Sequence, residues 1–140
     1  MKRRLVVVAL VMAMAIPAAA AAGIRHFDGA LDPSGSVSFD TKKRLGRVVQ
    51  VEPGFAFTRV PVSCDDGRDR IKGSFDFAMD VRRRRFEGTG SYEGGGKVTV
   101  SGELSALARR ARGTIQISGD FSAINATGCY AKHDWRAKKT

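Results

Sequence analysis

Residues 113–117 read Gly-Thr-Ile-Gln-Ile, an order in which glycine opens a run of alternating polar and β-forming side chains. The same order recurs at residues 35–39, 73–77 and 96–100. Strict alternation is the period of a strand with one buried face, because successive side chains point to opposite faces of a sheet. The four runs therefore predict an all-β protein, and their unequal separations are not those of a solenoid repeat.

Further alternating runs and the turns between them extend this pattern along the chain. They predict strands at residues 25–28, 47–52, 55–60, 86–92 and 130–137, with turn formers at 32–35, 43–46, 53–54, 65–67 and 94–96. About eight or nine short strands separated by Gly- and Pro-rich turns are typical of an antiparallel β-sandwich, with a small β-barrel as the alternative. Residues 103–112 have partly helical spacing, but we expect a hairpin connection with at most one helical turn.

The N-terminus predicts export from the cytoplasm. A basic stretch at residues 2–4 precedes the apolar run 5–16, and Pro17 and five alanines follow. This is the order of a secretory signal peptide, with cleavage after Ala20 or Ala22 fitting equally well. An uncleaved anchor is the alternative, because the apolar stretch is just long enough to reach across a bilayer; the proline and the weakly hydrophobic alanines favour cleavage.

Length and composition limit the domain organisation. The chain has 140 residues, which is too few for a (β/α)₈ barrel of roughly 200 or more or for a nucleotide fold with a second domain. Its 43% hydrophobic and 27% charged residues are ordinary for a globular protein. We therefore expect a signal peptide at residues 1–22 and a single β-sandwich domain at residues 23–140, secreted or otherwise extracytoplasmic, without a transmembrane segment.

Two cysteines, Cys64 and Cys129, remain after the predicted cleavage. In an oxidising compartment an isolated pair in a small domain is most simply a disulfide. A loop of that size removes about 4 kcal/mol of unfolded-state entropy in the chain-entropy model. Neither cysteine has a second Cys or a His at short spacing, which disfavours a catalytic or metal-binding thiol.

Basic residues are clustered, and most clusters fall at predicted strand ends and hairpin tips. If two or three tips lie at one end of the sandwich, they form a positive patch that holds phosphates or another polyanion. Export makes wall polymers, anionic lipid head groups or extracellular nucleic acid more fitting partners than chromosomal DNA. The candidate anion-binding residues are Arg82, Arg83, Arg84, Arg85, Arg109, Arg110 and Arg112, and further basic clusters lie at 42–44 and 132–139.

Motifs for catalysis and cofactor binding are not found in the sequence. It holds no GxSxG or HExxH motif, and its two histidines, His26 and His133, lie near the ends of the predicted domain. The acidic turn at 65–69 resembles a weak calcium loop, but Arg68 and Arg70 offset its charge. Glu87, Glu93 and Glu103, the carboxylates that a glycosidase pair would need, are expected on the exposed face. The sequence therefore predicts no cofactor, no metal and no enzyme.

The order of several residues resembles a group of small secreted single-disulfide β-sandwich proteins of high-GC Gram-positive bacteria. The residues that carry the resemblance are Gly35-x-Val37-x-Phe39, Cys64 with Gly67, Phe86, residues 111–115, Cys129 and residues 135–137. The resemblance implies a β-sandwich with one bridge between the two cysteines, a core aromatic at Trp135 and no assigned activity.

Three hypotheses about function follow from the sequence. The first is a secreted, non-catalytic β-sandwich with a binding or structural role at the cell surface or outside the cell. The second is an electrostatic binder of anionic polymers that acts through its basic hairpin tips. The third is a small hydrolase or carbohydrate-active protein.

Overall fold

A computed structural model describes residues 23–140, so the predicted signal peptide lies outside the described residues. The strands are β1 (Ile24–Leu31), β2 (Ser36–Arg44), β3 (Arg47–Val51), β4 (Ala56–Cys64), β5 (Gly67–Ser74), β6 (Met79–Asp80), β7 (Arg85–Ser91), β8 (Lys97–Leu104), β9 (Arg110–Phe121) and β10 (Ala126–Lys139). A single 3₁₀ turn, Ser122–Ile124, joins the last two strands. The predicted all-β class is confirmed, with ten strands where the sequence predicted eight or nine.

The strands form one antiparallel sheet that curls on itself. Its order is β5-β4-β2-β1-β10-β9-β8-β7, and β3 pairs with both β2 and β6. Phe39 on β2 contacts Phe86 on β7 with ring centroids 5.9 Å apart, although these strands lie far apart in the order. Opposite parts of the sheet thus pack face to face across one core, which is the arrangement of a β-sandwich.

Trp135 lies at the centre of the core, as the sequence predicts. Its side chain is 1% exposed, and its ring contacts Phe39 and Phe55 at centroid distances of 5.6 and 5.9 Å. The indole Nε1 donates to the carbonyl of Thr114 at 3.3 Å, so its polar atom is satisfied. Beside it, Gly113 must be glycine, because a Cβ there would lie 2.7 Å from the Trp135 ring.

The predicted strand at residues 73–77 is wrong. The strand β5 ends at Ser74, and Phe75 and Phe77 belong to the connection that leads to β6. Phe75 is nonetheless buried and stacks on Phe77 at a centroid distance of 4.9 Å. Alternation here indicates which side chains are buried. Phe75 exchanges backbone hydrogen bonds with Gly54 and Phe55, but the regular strand pairing ends at Ser74. The expected hairpin connection within 103–112 is confirmed as a turn at residues 105–109.

The predicted disulfide is confirmed. The sulfur atoms of Cys64 and Cys129 are 2.10 Å apart, and the bond joins the end of β4 to the beginning of β10. Ser63 pairs with Tyr130 beside the bridge, so the sheet is closed at this point by backbone as well as by sulfur. In the part of the chain that the structure describes, no helix has the length and apolar character needed to cross a membrane.

Candidate functional site

The strand register brings two basic hairpin turns to one end of the sheet. The beginning of β9 pairs with the end of β10, where Arg110 faces Lys138. That end of β10 lies beside the beginning of β1, and Ile24 in turn faces Lys42 at the end of β2. The turn at 45–46 after β2 and the turn at 105–109 before β9 therefore lie at the same end of the molecule.

A third basic turn lies at this end. Arg85 at the beginning of β7 faces Glu103 near the end of β8, so the turn at 81–84 is beside the turn at 105–109. Arg82 and Arg85 close the third turn by two backbone hydrogen bonds of 2.9 Å. We define the basic end as residues 23–25, 42–47, 81–85, 105–110 and 138–140. This set contains thirteen Lys and Arg, and two acids lie at the same level, Asp28 facing Lys138 and Glu103 facing Arg85.

The opposite end of the sheet has the opposite charge. Its connections are residues 32–35, 65–66, 92–96 and 122–125, and they carry Asp32, Asp65, Asp66 and Glu93 with no Lys or Arg. Backbone hydrogen bonds tie these connections to each other and to β10, including Ser122 to Glu93 and Asp65 to Thr127. Positive and negative charge are therefore concentrated toward opposite ends of the strands, which gives the domain an electric dipole along the strand direction.

Four cations form a square on the exposed face of β9 and β10. Arg110 faces Lys138 and Arg112 faces Arg136 across the two strands, and residues two apart on a strand share a face. Like charges directly opposite each other destabilise a sheet. Of these four residues, which we call the cation square, only Arg112 forms an ion pair within the described residues, at 3.9 Å from Glu103.

Two adjacent grooves run over this region. A groove of about 740 Å³ lies over the cation square and is also lined by Arg84, Asp28 and Glu103. The neighbouring groove, of about 860 Å³, is lined by arginines and by an equal number of carboxylates, namely Arg82, Arg85, Arg112 and Arg136 with Asp80, Glu87, Glu103 and Asp134. The first groove has a net positive lining, and the second is balanced.

The structure divides the seven predicted anion-binding arginines into three groups. Arg84, Arg110 and Arg112 line the groove over the cation square, Arg82 and Arg85 line the balanced groove, and Arg112 borders both. Arg83 and Arg109 line neither groove and lie at the turn tips of the basic end. Anion binding by the seven stays a prediction. Arg136 and Lys138 were not among the predicted anion-binding residues, because only the register shows that they face Arg112 and Arg110.

His26 has neighbours that resemble a Ser-His-Asp arrangement. Its Nδ1 lies 2.6 Å from Asp40 Oδ1, and its Nε2 lies 2.9 Å from Asp28 and 3.3 Å from Ser38 Oγ. The hydrogen bond to Asp40 first, and that to Asp28 second, raises the pKa of His26 above 6.5. The His26 ring and the two carboxylates are 44–55% exposed, so the cluster lies on the solvent-facing side of β1 and β2.

A further pocket is mainly apolar. It has a volume of about 520 Å³ and is lined by Phe57, Val98 and Phe121 together with the ring of Tyr92. The Tyr92 hydroxyl is buried without a hydrogen-bond partner, and burial followed by the charge of Asp76 raises its pKa above 10.0. Among residues 23–140, no group of three His, Cys, Asp or Glu side chains could hold a metal ion.

Comparison with known proteins finds no family model, no curated protein and no solved structure that matches this chain. The resemblance to small secreted β-sandwich proteins therefore stays an expectation.

Proposed function

We propose that the protein is a non-catalytic binding protein that acts outside the cytoplasm and attaches through its basic end to anionic components of the cell envelope. The observation that supports this most directly is the separation of charge between the two ends of the sheet. Thirteen Lys and Arg lie at the basic end with only Asp28 and Glu103 facing them, whereas the connections at the other end carry four acids and no Lys or Arg.

The electrostatics of such a molecule favour end-on attachment. A cation near an anionic surface contributes about 1 kcal/mol, and screening limits this to a distance of about 8 Å at physiological salt. Several cations must therefore touch the surface together, and the three basic turns at the same end of the sheet allow this. The acidic connections at the far end are repelled by the same surface, which orients the domain before contact.

The compartment and the chemistry agree with this proposal. A disulfide between Cys64 and Cys129 is compatible with an oxidising environment. The alternative of a hydrolase could use the exposed cluster around His26 or the balanced groove, where every carboxylate lies among arginines, an arrangement typical of a charge-compensated surface. No observation favours the hydrolase over the binding protein.

Retention on a heparin column at increasing salt tests the proposal. We expect the double variant Arg110→Ser/Lys138→Ser to elute at clearly lower salt than the wild-type protein, because it removes one pair of facing cations at the basic end. The matched control, Arg68→Ser/Lys97→Ser, removes the same charge from exposed positions nearer the far end and should elute like the wild type.

Two results would contradict the proposal. One is an equal shift of both variants, which would show that only net charge matters. The other is elution of the wild-type protein at low salt, which would show that the basic end holds no polyanion. Circular dichroism of each variant confirms that the fold is intact.

A further inference from the structure

The basic end also carries exposed apolar side chains. Leu45, Leu107 and Ile24 are 85%, 69% and 69% exposed, and all three belong to this end. The other large apolar side chains that are exposed in residues 23–140, Tyr130 and Ile124, lie elsewhere and are less exposed. The end of the molecule with the most positive charge is therefore also the end with the most exposed apolar surface.

Leu45 occupies a position that the backbone disfavours for leucine. It forms a two-residue turn with Gly46 between the facing residues Arg44 and Arg47, with φ of +50° at Leu45 and +78° at Gly46. Hairpin turns of this kind prefer Asn-Gly, because both residues adopt positive φ. A bulky side chain there is strained and in this case gains no packing, which indicates a role outside the fold.

Leu107 is presented by a well-ordered turn. The hydroxyl of Ser105 accepts hydrogen bonds from the backbone N–H groups of Arg109 and Arg110 at 3.2 and 3.1 Å. The backbone N–H of Ala108 donates to the carbonyl of Ser105 at 2.8 Å. The turn is therefore closed on itself, and its leucine points away from the core into solvent.

The three side chains are spread across several strands at one end of the sheet. The Leu45 turn and the Leu107 turn are separated by the strands β2, β1, β10 and β9, which at about 4.8 Å per strand places them on the order of 15 Å apart. Ile24, at the beginning of β1, lies between them. Isolated apolar side chains that are spread over this distance and surrounded by cations are suited to bind an extended surface. Such a surface would be anionic on the outside and apolar underneath.

We propose that the basic end docks on an anionic lipid bilayer, with its arginines and lysines on the head groups and Leu45, Leu107 and Ile24 inserted below them. This inference depends on the proposed function and names the surface. A soluble polyanion such as a wall polymer or a nucleic acid would pair with the cations and leave the leucines in water. A bilayer interface accommodates both kinds of side chain, because acyl chains begin directly under the charged layer.

Co-sedimentation with vesicles tests the proposal. The probe is a one-to-one mixture of phosphatidylglycerol and phosphatidylcholine, and pure phosphatidylcholine serves as the uncharged comparison. We expect binding to the mixed vesicles only. Each leucine that is removed should weaken binding about tenfold, so Leu45→Ser/Leu107→Ser should lose on the order of a hundredfold.

Heparin elution separates this proposal from the proposed function. Leu45→Ser/Leu107→Ser should elute from heparin like the wild type, because it removes no charge, whereas Arg110→Ser/Lys138→Ser should weaken both heparin and vesicle binding. The control Tyr130→Ser removes an exposed aromatic side chain away from the basic end and should bind vesicles like the wild type.

The fluorescence of the variant Leu45→Trp provides a second, independent measurement. The native Trp135 is buried, so a fluorescence change in Leu45→Trp reports the turn. We expect a blue shift on mixed vesicles and none with heparin. Unchanged vesicle binding by Leu45→Ser/Leu107→Ser, or heparin retention without vesicle binding, would overturn the bilayer proposal and leave the polyanion function standing. If the wild-type protein bound neither heparin nor the mixed vesicles, both the bilayer proposal and the polyanion function would be overturned.

Discussion

The register of β1 and β2 determines the pKa of His26. The cross-strand pairing of β1 and β2 places its ring between Asp40 and Asp28, and the hydrogen bond to Asp40 is the largest cause of its raised pKa. Because the folded pKa lies above the unfolded value of 6.5, the stabilisation is fully present below pH 6.5 and is lost as pH rises through the folded pKa.

We predict that NMR titration of the His26 ring gives a pKa above 6.5 in the wild-type protein. Asp40→Asn should lower this pKa more than Asp28→Asn, since the two hydrogen bonds contribute in that order. Asp32→Asn, which removes a carboxylate that has no hydrogen bond to the ring, should leave it unchanged. An equal effect of all three substitutions would show that general charge, not the two hydrogen bonds, sets the pKa.

The hairpin β2–β3 allows a prediction at the scale of an element. Leu45→Asn converts its turn to Asn-Gly, the pair that the positive φ angles favour. We expect the free energy of unfolding, measured with urea, to rise by about 0.5–1 kcal/mol, since the strained leucine contributes no packing. The same substitution at Leu107, where φ is not positive, should not stabilise the protein. A lower stability of Leu45→Asn would mean that Leu45 has a packing role.

Alternation predicted most of the strands but not their register. The runs at 96–100 and 113–117 lie within β8 and β9, because each buries one face. The strand β5 was missed, since its residues 68–70 are charged and exposed and so show no burial pattern. The pairing of Arg112 with Arg136 could not be derived, because the irregularity between Ala126 and Cys129 sets the register of β10 and has no local signal in the sequence.

The clusters of basic residues are visible in the sequence, but the separation of charge between the two ends of the sheet arises only when the whole chain is folded. Antiparallel pairing brings the β2–β3, β6–β7 and β8–β9 connections to the same end, so basic turns that are distant in sequence meet there. A composition biased toward arginine would place cations at both ends, but the four far-end connections contain none. The topology therefore gathers basic clusters that are scattered in the sequence into one predominantly positive surface.

The disulfide stabilises this arrangement from the far end. Cys64 and Cys129 are separated by 65 residues, a loop that includes β5 to β9. In the chain-entropy model, its removal costs about 4 kcal/mol, which is a large part of the stability of a small domain. We therefore predict that Cys64→Ser/Cys129→Ser lowers the free energy of unfolding in guanidinium by about 4 kcal/mol.

The same variant distinguishes stability from binding. The bridge lies at the end opposite the basic turns, so the fraction of the variant that remains folded should elute from heparin at the wild-type salt concentration. Measuring elution at low temperature, where the folded fraction is highest, keeps the two effects apart. A change of less than about 1 kcal/mol would show that the unfolded chain already holds the two cysteines close together, because in that case closing the loop removes little entropy.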